Sequence, residues 1–197
     1  LFVALNDFNI IQYNLKQNFQ SKTFNLVHTG RINQLNITKN NLKLVSASDD
    51  GTLRVWNIIT ANCEKKLTGH VGPVLAVTSS NKVKNIISGG ADKVIRVWDI
   101  ETSFEKMLIK GHKGAVHSLV LTHDDKKIIS GSSDETIRIW RYKTGEQLNI
   151  ILGHQGIISS LALDREGKKL ISTSKNIHIQ TLPDSDKELI LRGHMDA

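Results

Sequence analysis

Histidine, serine and aspartate are the residue types of proton transfer and metal binding, and this chain sets them out at fixed intervals. His28, His70, His112 and His154 stand at one constant interval, and His194 follows two positions early. Ser46, Ser88, Ser130 and Ser172 each trail their histidine by the same distance along the chain. Asp50, Asp92 and Asp134 follow the serine, and Trp56, Trp98 and Trp140 come next in the same register. A shared metal ion would need these histidines within one coordination sphere. Their even spacing instead puts one in each copy of a repeated unit, too dispersed to converge. No catalytic centre copies itself in this way, and a period in the low forties marks one supersecondary unit repeated along the chain.

The unit that positions these residues is a set of short strands. In the second full copy, 74–78 is an apolar run broken by polar residues at 80–84. A second run at 86–89 stops at a turn over 90–93, a third at 94–98 alternates side chains, and a fourth at 106–109 ends at Gly111 and His112. Short β-branched runs separated by Gly, Asp, Asn and Lys turns predict strands. No segment carries a 3.6-residue apolar period, so the sequence predicts an all-β chain.

The phrases GHVGPVLAV, ISGGADKVIRVWD, GHKGAVHSLV and ISGSSDETIRIW resemble WD-repeat proteins, and the resemblance covers the whole chain. It implies a β-propeller of four-stranded blades around a channel. The register predicts one propeller segment over 1–197: a partial blade at about 1–27, blades at 28–69, 70–111, 112–153 and 154–193, and the start of another repeat at 194–197. Val3, Ala4, Leu5, Asn6 and Asp7 align with 46–50, and Tyr13 falls where Trp56 does. The chain has no initiator methionine, and relatives of this kind commonly close with seven blades, which need about 290 residues. The expectation is therefore an open arc of a longer ring, whose remainder is needed for closure.

In the family the ladder is a buried hydrogen-bond network, and the resemblance implies that role for His28, Ser46, Asp50 and Trp56, for His70, Ser88, Asp92 and Trp98, for His112, Ser130, Asp134 and Trp140, and for His154 and Ser172. The copies differ in quality. Val27 replaces the glycine kept as Gly69, Gly111, Gly153 and Gly193, and Asn57 and Arg141 replace the aspartate kept as Asp99. In the fourth copy two residues are missing after Ser172, no aspartate precedes Ile177, and Gln180 stands for the tryptophan. That blade is expected from strands at 157–163, 169–173, 176–182 and 188–191, and to be the least stable.

Contacts on the family's top face often use the positions three and five after the ladder histidine and the one before the ladder aspartate. Carried over, the first set gives Arg31 and Asn33, Pro73 and Leu75, Ala115 and His117, Ile157 and Ser159. The second gives Asp49, Ala91 and Ser133. The resemblance thus implies a non-enzymatic scaffold that receives other proteins or peptides there. A regulatory or targeting domain of a larger enzyme, such as a kinase or ubiquitin ligase subunit, is the alternative.

Other features carry less. Asn36, Ile37 and Thr38 match a glycosylation pattern but fall in an innermost strand. Asp49, Asp50 and Gly51 lack the remaining ligands of a calcium loop. His123 reads as a solvated turn residue, and the lone Cys63 has no disulfide partner. No phosphate-cradling loop, zinc motif or nucleophile elbow is present, so no catalytic residue, cofactor or metal is expected. No signal peptide or membrane-length apolar run is visible, which predicts a cytoplasmic or nuclear location. The net charge of +7 traces partly to lysines in the first turn of each blade: Lys39 and Lys43, Lys82 and Lys84, Lys126 and Lys127, Lys168 and Lys169. Asp124, Asp125, Asp164 and Glu166 dilute them, and these turns lack aromatic stacking residues. A solvated face is expected rather than an anion-binding rim for nucleic acid or membrane.

Overall fold

The computed structural model describes residues 1–4, 9–13, 21–24 and 28–182, and the backbone of 188–191. Leu5, Asn6, Asp7, Val27 and 193–197, singled out above, lie outside the described residues. All regular structure in the described residues is β, and no helix is long and apolar enough to cross a membrane.

Among the described residues, nineteen strands form five antiparallel sheets in chain order. The first holds β1 (Phe2–Ala4), β2 (Ile10–Tyr13) and β3 (Ser21–Phe24). The next is β4 (Ile32–Ile37), β5 (Lys43–Ser48), β6 (Thr52–Asn57) and β7 (Cys63–Thr68). Then come β8 (Val74–Ser79), β9 (Asn85–Gly90), β10 (Ile95–Asp99) and β11 (Glu105–Ile109), followed by β12 (Val116–Leu121), β13 (Lys127–Ser132), β14 (Ile137–Arg141) and β15 (Gln147–Ile151). The last is β16 (Ser160–Leu163), β17 (Lys169–Thr173), β18 (Ile177–Thr181) and β19 (Glu188–Leu191). Each sheet is a meander, and the first strands β4, β8, β12 and β16 lie side by side. This is the blade arrangement of a propeller.

The core lies between blades, not within one. Val45, Val55 and Leu67 pack against Val74, Val77 and Trp98 of the following blade. Ile87, Val97 and Ile109 do the same with Leu119, Ile128 and Trp140, and Ile129 and Ile139 with Ile158 and Leu170. A single four-stranded sheet has no partner for its apolar faces, so stacking supplies it. Second strands are covered on both sides, which explains why β9 and β13 are buried at all but their first residue and rich in glycine and serine. A Cβ on Gly131 would stand 2.4 Å from Cγ2 of Ile158 in the next blade. Outer strands face solvent, as in β15, where no residue is fully buried.

Two boundaries of the fourth blade differ from expectation. Its first strand is Ser160–Leu163 rather than 157–163, and its third is Ile177–Thr181 rather than 176–182. The two missing residues are the cause. Ser174, the register equivalent of Gly90, is drawn into a tight turn by donating its N–H to the Asn176 carbonyl at 2.9 Å. With no strand partner at that position, Ile158 N–H donates to the Ser132 carbonyl of the preceding blade at 3.1 Å.

Candidate functional site

Three blades carry the same hydrogen-bonded chain. Nδ1 of His28, His70 and His112 lies 2.7, 2.9 and 2.9 Å from Asp50, Asp92 and Asp134. Nε2 lies 2.7, 2.8 and 2.7 Å from the hydroxyls of Ser46, Ser88 and Ser130. The indole N–H of Trp56, Trp98 and Trp140 donates to the same hydroxyls at 2.9, 2.8 and 2.8 Å. A carboxylate accepts only, and an indole donates only. The direction is therefore set: Trp N–H to Ser oxygen, Ser O–H to Nε2, and Nδ1–H to Asp, with a neutral imidazole. The three serines are wholly buried and already hydrogen-bonded on both sides, so this Ser–His–Asp geometry offers no exposed nucleophile.

The aspartate also ties the loop ahead of its blade's first strand, by accepting from the backbone N–H of Thr29, Val71 or Lys113. The hydroxyls of Thr52 and Thr136 donate to Asp50 and Asp134 at 2.7 Å. Val94 holds that register in the second blade, where Arg96 stands 3.7 Å from Asp92 instead. Sequence reading missed this threonine, although its place two residues after the aspartate was visible. In the fourth blade His154 keeps its 2.8 Å bond to Ser172. The ring of His178, paired across from Ser172 where other blades have arginine, lies 4.2 Å from that of His154. His178 was also missed, because its register only becomes visible once the shortened turn is placed.

Burial pushes the imidazoles of His28, His70 and His112 below their usual value, and the aspartate partners only partly offset it. Burial alone would raise Asp50, but hydrogen bonds from Thr52, His28 and the Thr29 N–H outweigh it and hold the carboxyl at about 2. Asp134 is lowered against burial in the same way, by Thr136, the Lys113 N–H and His112. For a group depressed on folding, stability is present above the unfolded value and lost as pH falls through the folded one. The histidine contribution therefore starts to fall near the usual imidazole value of 6.5. The carboxylate contribution falls from about 3.8 toward 2. The urea midpoint of the full-length protein should drop from pH 7 to 5. A midpoint that holds level or rises over that interval would contradict buried neutral ladder histidines.

The positions implied for partner contact all fall where the first strands begin. Arg31 and Asp49 are exposed, and Asn33, Leu75, His117 and Ser133 are half-buried. In three blades a register shift between β4 and β5, β8 and β9, or β12 and β13 falls at Asn33, Leu75 and His117. Such a bulge leaves one residue unpaired and re-aims its side chain. Asn33 is partly committed, donating to Asp49 at 2.7 Å and to the Val74 carbonyl at 3.0 Å. Ser159 is engaged with Thr173 at 2.9 Å, in a blade with no such bulge. Ile157 is 50% exposed. Val71, missed in the sequence, is 77% exposed on the same rim. Its N–H is tied to Asp92, a contact that a linear pattern does not display.

No group of His, Cys, Asp and Glu among the described residues could hold a metal ion. On the opposite face, Lys43, Lys126 and Lys168 pair with Glu64, Asp124 and Glu166. His123 bridges blades through Nε2, 3.1 Å from the Asp164 carbonyl.

Residues 20–57, 61–99 and 104–141 each match the profile of the WD domain, G-beta repeat family, and together make up more than half of the chain. A probable E3 ubiquitin ligase complex SCF subunit, sconB, from Aspergillus clavatus is 40% identical over 50 residues, which are 25% of this chain and 7% of that protein. The nuclear distribution protein PAC1-2 from Uncinocarpus reesii is 54% identical over 37 residues, 19% of this chain and 8% of that protein. The match thus spans less than a tenth of the length of either relative. Each matched stretch runs from the outer strand of one sheet through the third strand of the next and ends one residue past a ladder tryptophan, and the chain belongs to the WD-repeat family, whose repeats build protein-interaction scaffolds.

Proposed function

We propose that this segment holds a protein or peptide on the rim where β4, β8, β12 and β16 begin, while the histidine ladder keeps the blades in register. The residues assigned to contact are Arg31, Asn33, Asp49, Leu75, His117, Ser133, Ile157 and Ser159. The observation that carries the reading is the repeated bulge at Asn33, Leu75 and His117, which presents three different side chains from a rigid frame. Exposed Val71 and Ile157 add apolar area to the charges of Arg31 and Asp49, a mixture suited to peptide recognition. One relative is named as a subunit of a ubiquitin ligase complex, which supports the reading that the full protein acts as the recognition part of a larger assembly. No catalytic role is assigned to the segment.

The test is quantitative affinity enrichment from native extract with full-length protein. The combined substitutions Arg31→Glu, Leu75→Ala and Ile157→Ala should reduce recovery of the partner about tenfold or more, without lowering the thermal midpoint. Lys126→Glu with Lys127→Glu, on the opposite face, should leave recovery unchanged. Loss only in the lysine variants would transfer the working surface to that face.

A further inference from the structure

A cleft of about 390 Å³ opens between the β8–β11 and β12–β15 blades, at the end opposite the proposed rim. Its apolar floor is Val97 and half-buried Met107, with Tyr142 on the far wall. Lys82, Lys84, Lys106 and Lys143 surround it. Lys106 pairs with Asp99 at 3.1 Å, whereas Lys82, Lys84 and Lys143 make no ion pair among the described residues. Tyr142 accepts a hydrogen bond from the Asn85 amide, leaving its own O–H to donate.

The repeat supplies an internal control. One period earlier, the cleft between the β4–β7 and β8–β11 blades has Asn40, Leu42, Glu64 and Glu101 at the positions of Lys82, Lys84, Lys106 and Lys143. Lys65 stands there for Met107, and buried Ile100 for Tyr142. The positions one blade earlier thus carry mixed charge and a buried isoleucine, whereas this cleft is open, apolar-floored and rich in lysine. The fold imposes neither state, because both occur on the same framework.

We propose that this cleft docks an acidic peptide segment, seating one apolar side chain on Val97 and Met107 and directing flanking carboxylates to Lys82, Lys84 and Lys143. Charge complementarity selects the sign of the occupant, and the floor selects its form. Asp124 and Asp125 line one wall. Asp125 is held there by the backbone and side-chain N–H groups of Asn81, at 3.0 and 2.8 Å. A ligand carrying only phosphates would meet these carboxylates at close range, and a flat membrane would leave the floor unused. A peptide can turn backbone N–H groups toward the acidic wall and acidic side chains toward the lysines. This surface is separate from the rim, so either can fail without the other.

The probe is a fluorescein-labelled peptide with a single leucine between paired Glu and Asp residues, and binding to full-length protein is read by anisotropy. Lys84→Leu and Lys143→Glu copy residues tolerated one blade earlier and should preserve the fold, checked by an unchanged thermal midpoint. Together they should weaken binding about tenfold or more. Raising salt from roughly 50 to 200 mM should weaken it as well. Replacing the leucine of the probe by serine should also weaken it, since the floor then has no partner. Equal affinity for wild type and the double variant would overturn the proposal, as would indifference to the leucine. Flotation with phosphatidylcholine vesicles containing phosphatidylserine is the competing arm. Vesicle binding that the same two substitutions abolish, with no peptide binding, would assign the cleft to an anionic membrane instead.

Discussion

Trp140→Gln should destabilise the full-length protein by about 3 kcal/mol, among the largest losses available from a single side chain in this chain. The indole is 2% exposed and donates to Ser130. Its Cη2 lies 2.7 Å from where a Cβ on Gly111 would stand, so it fills the space beneath the neighbouring loop. Glutamine removes that filling and the outer part of the ladder together. The fourth blade already carries Gln180 at this register. The corresponding Gly153, with φ +101°, has nothing within 4 Å of its Cβ position. The reverse substitution, Gln180→Trp, should therefore stabilise by about 1 kcal/mol, because an indole there finds open space and the Ser172 hydroxyl. Urea midpoints would measure both changes. Amide exchange should locate the difference, with faster exchange in β17 and β18 than in β13 and β14 of the wild-type protein. A Gln180→Trp variant that loses stability would show that the fourth blade packs by a different rule.

Asp92→Ala should cost roughly 2 kcal/mol more than Asp49→Ala, although both lie in the same kind of turn. Asp92 accepts from His70, whose side chain is 1% exposed, at 2.9 Å and from the Val71 N–H at 3.1 Å. Removing it leaves the Nδ1–H of a nearly inaccessible ring without an acceptor and releases the rim loop. Asp49 accepts from Asn33 at an exposed site, where water replaces the lost bond. Asp92→Asn retains an acceptor for Nδ1–H and should recover part of the loss. Chemical denaturation of the full-length variants separates these outcomes. Equal midpoints for the two alanine variants would mean that the ladder adds nothing beyond surface hydrogen bonding.

Much of this was legible in the linear chain because the repeat is an averaging device. One ladder residue in isolation says little, but His, Ser, Asp and Trp returning at constant spacing fix register, strand order and the all-β class together. Even the defect of the fourth copy could be read, since Gln180 and the two missing residues break an otherwise regular count. The strand limits there could not, because Ser174 had to choose between a ladder and a tight turn, and Ile158 found its acceptor in another blade. His178 and Val71 were likewise invisible as participants, since each matters through a neighbour distant in sequence, whereas Thr52 and Thr136, two residues after their aspartates, were within reach of a local pattern.

The sequence by itself determined the repeat unit, the class of fold and the identity of the ladder, all of which depend on local pattern and periodicity. Only the tertiary structure decided what happens between copies. The core is made where one blade meets the next, so the open space at Gly153 and the lysine-lined cleft beside Met107 depend on residues brought together from separate parts of the chain. Lys84 and Lys143 are separated by more than one full repeat of the chain. They become neighbours of one cleft because stacking is the only way a four-stranded blade can bury its faces.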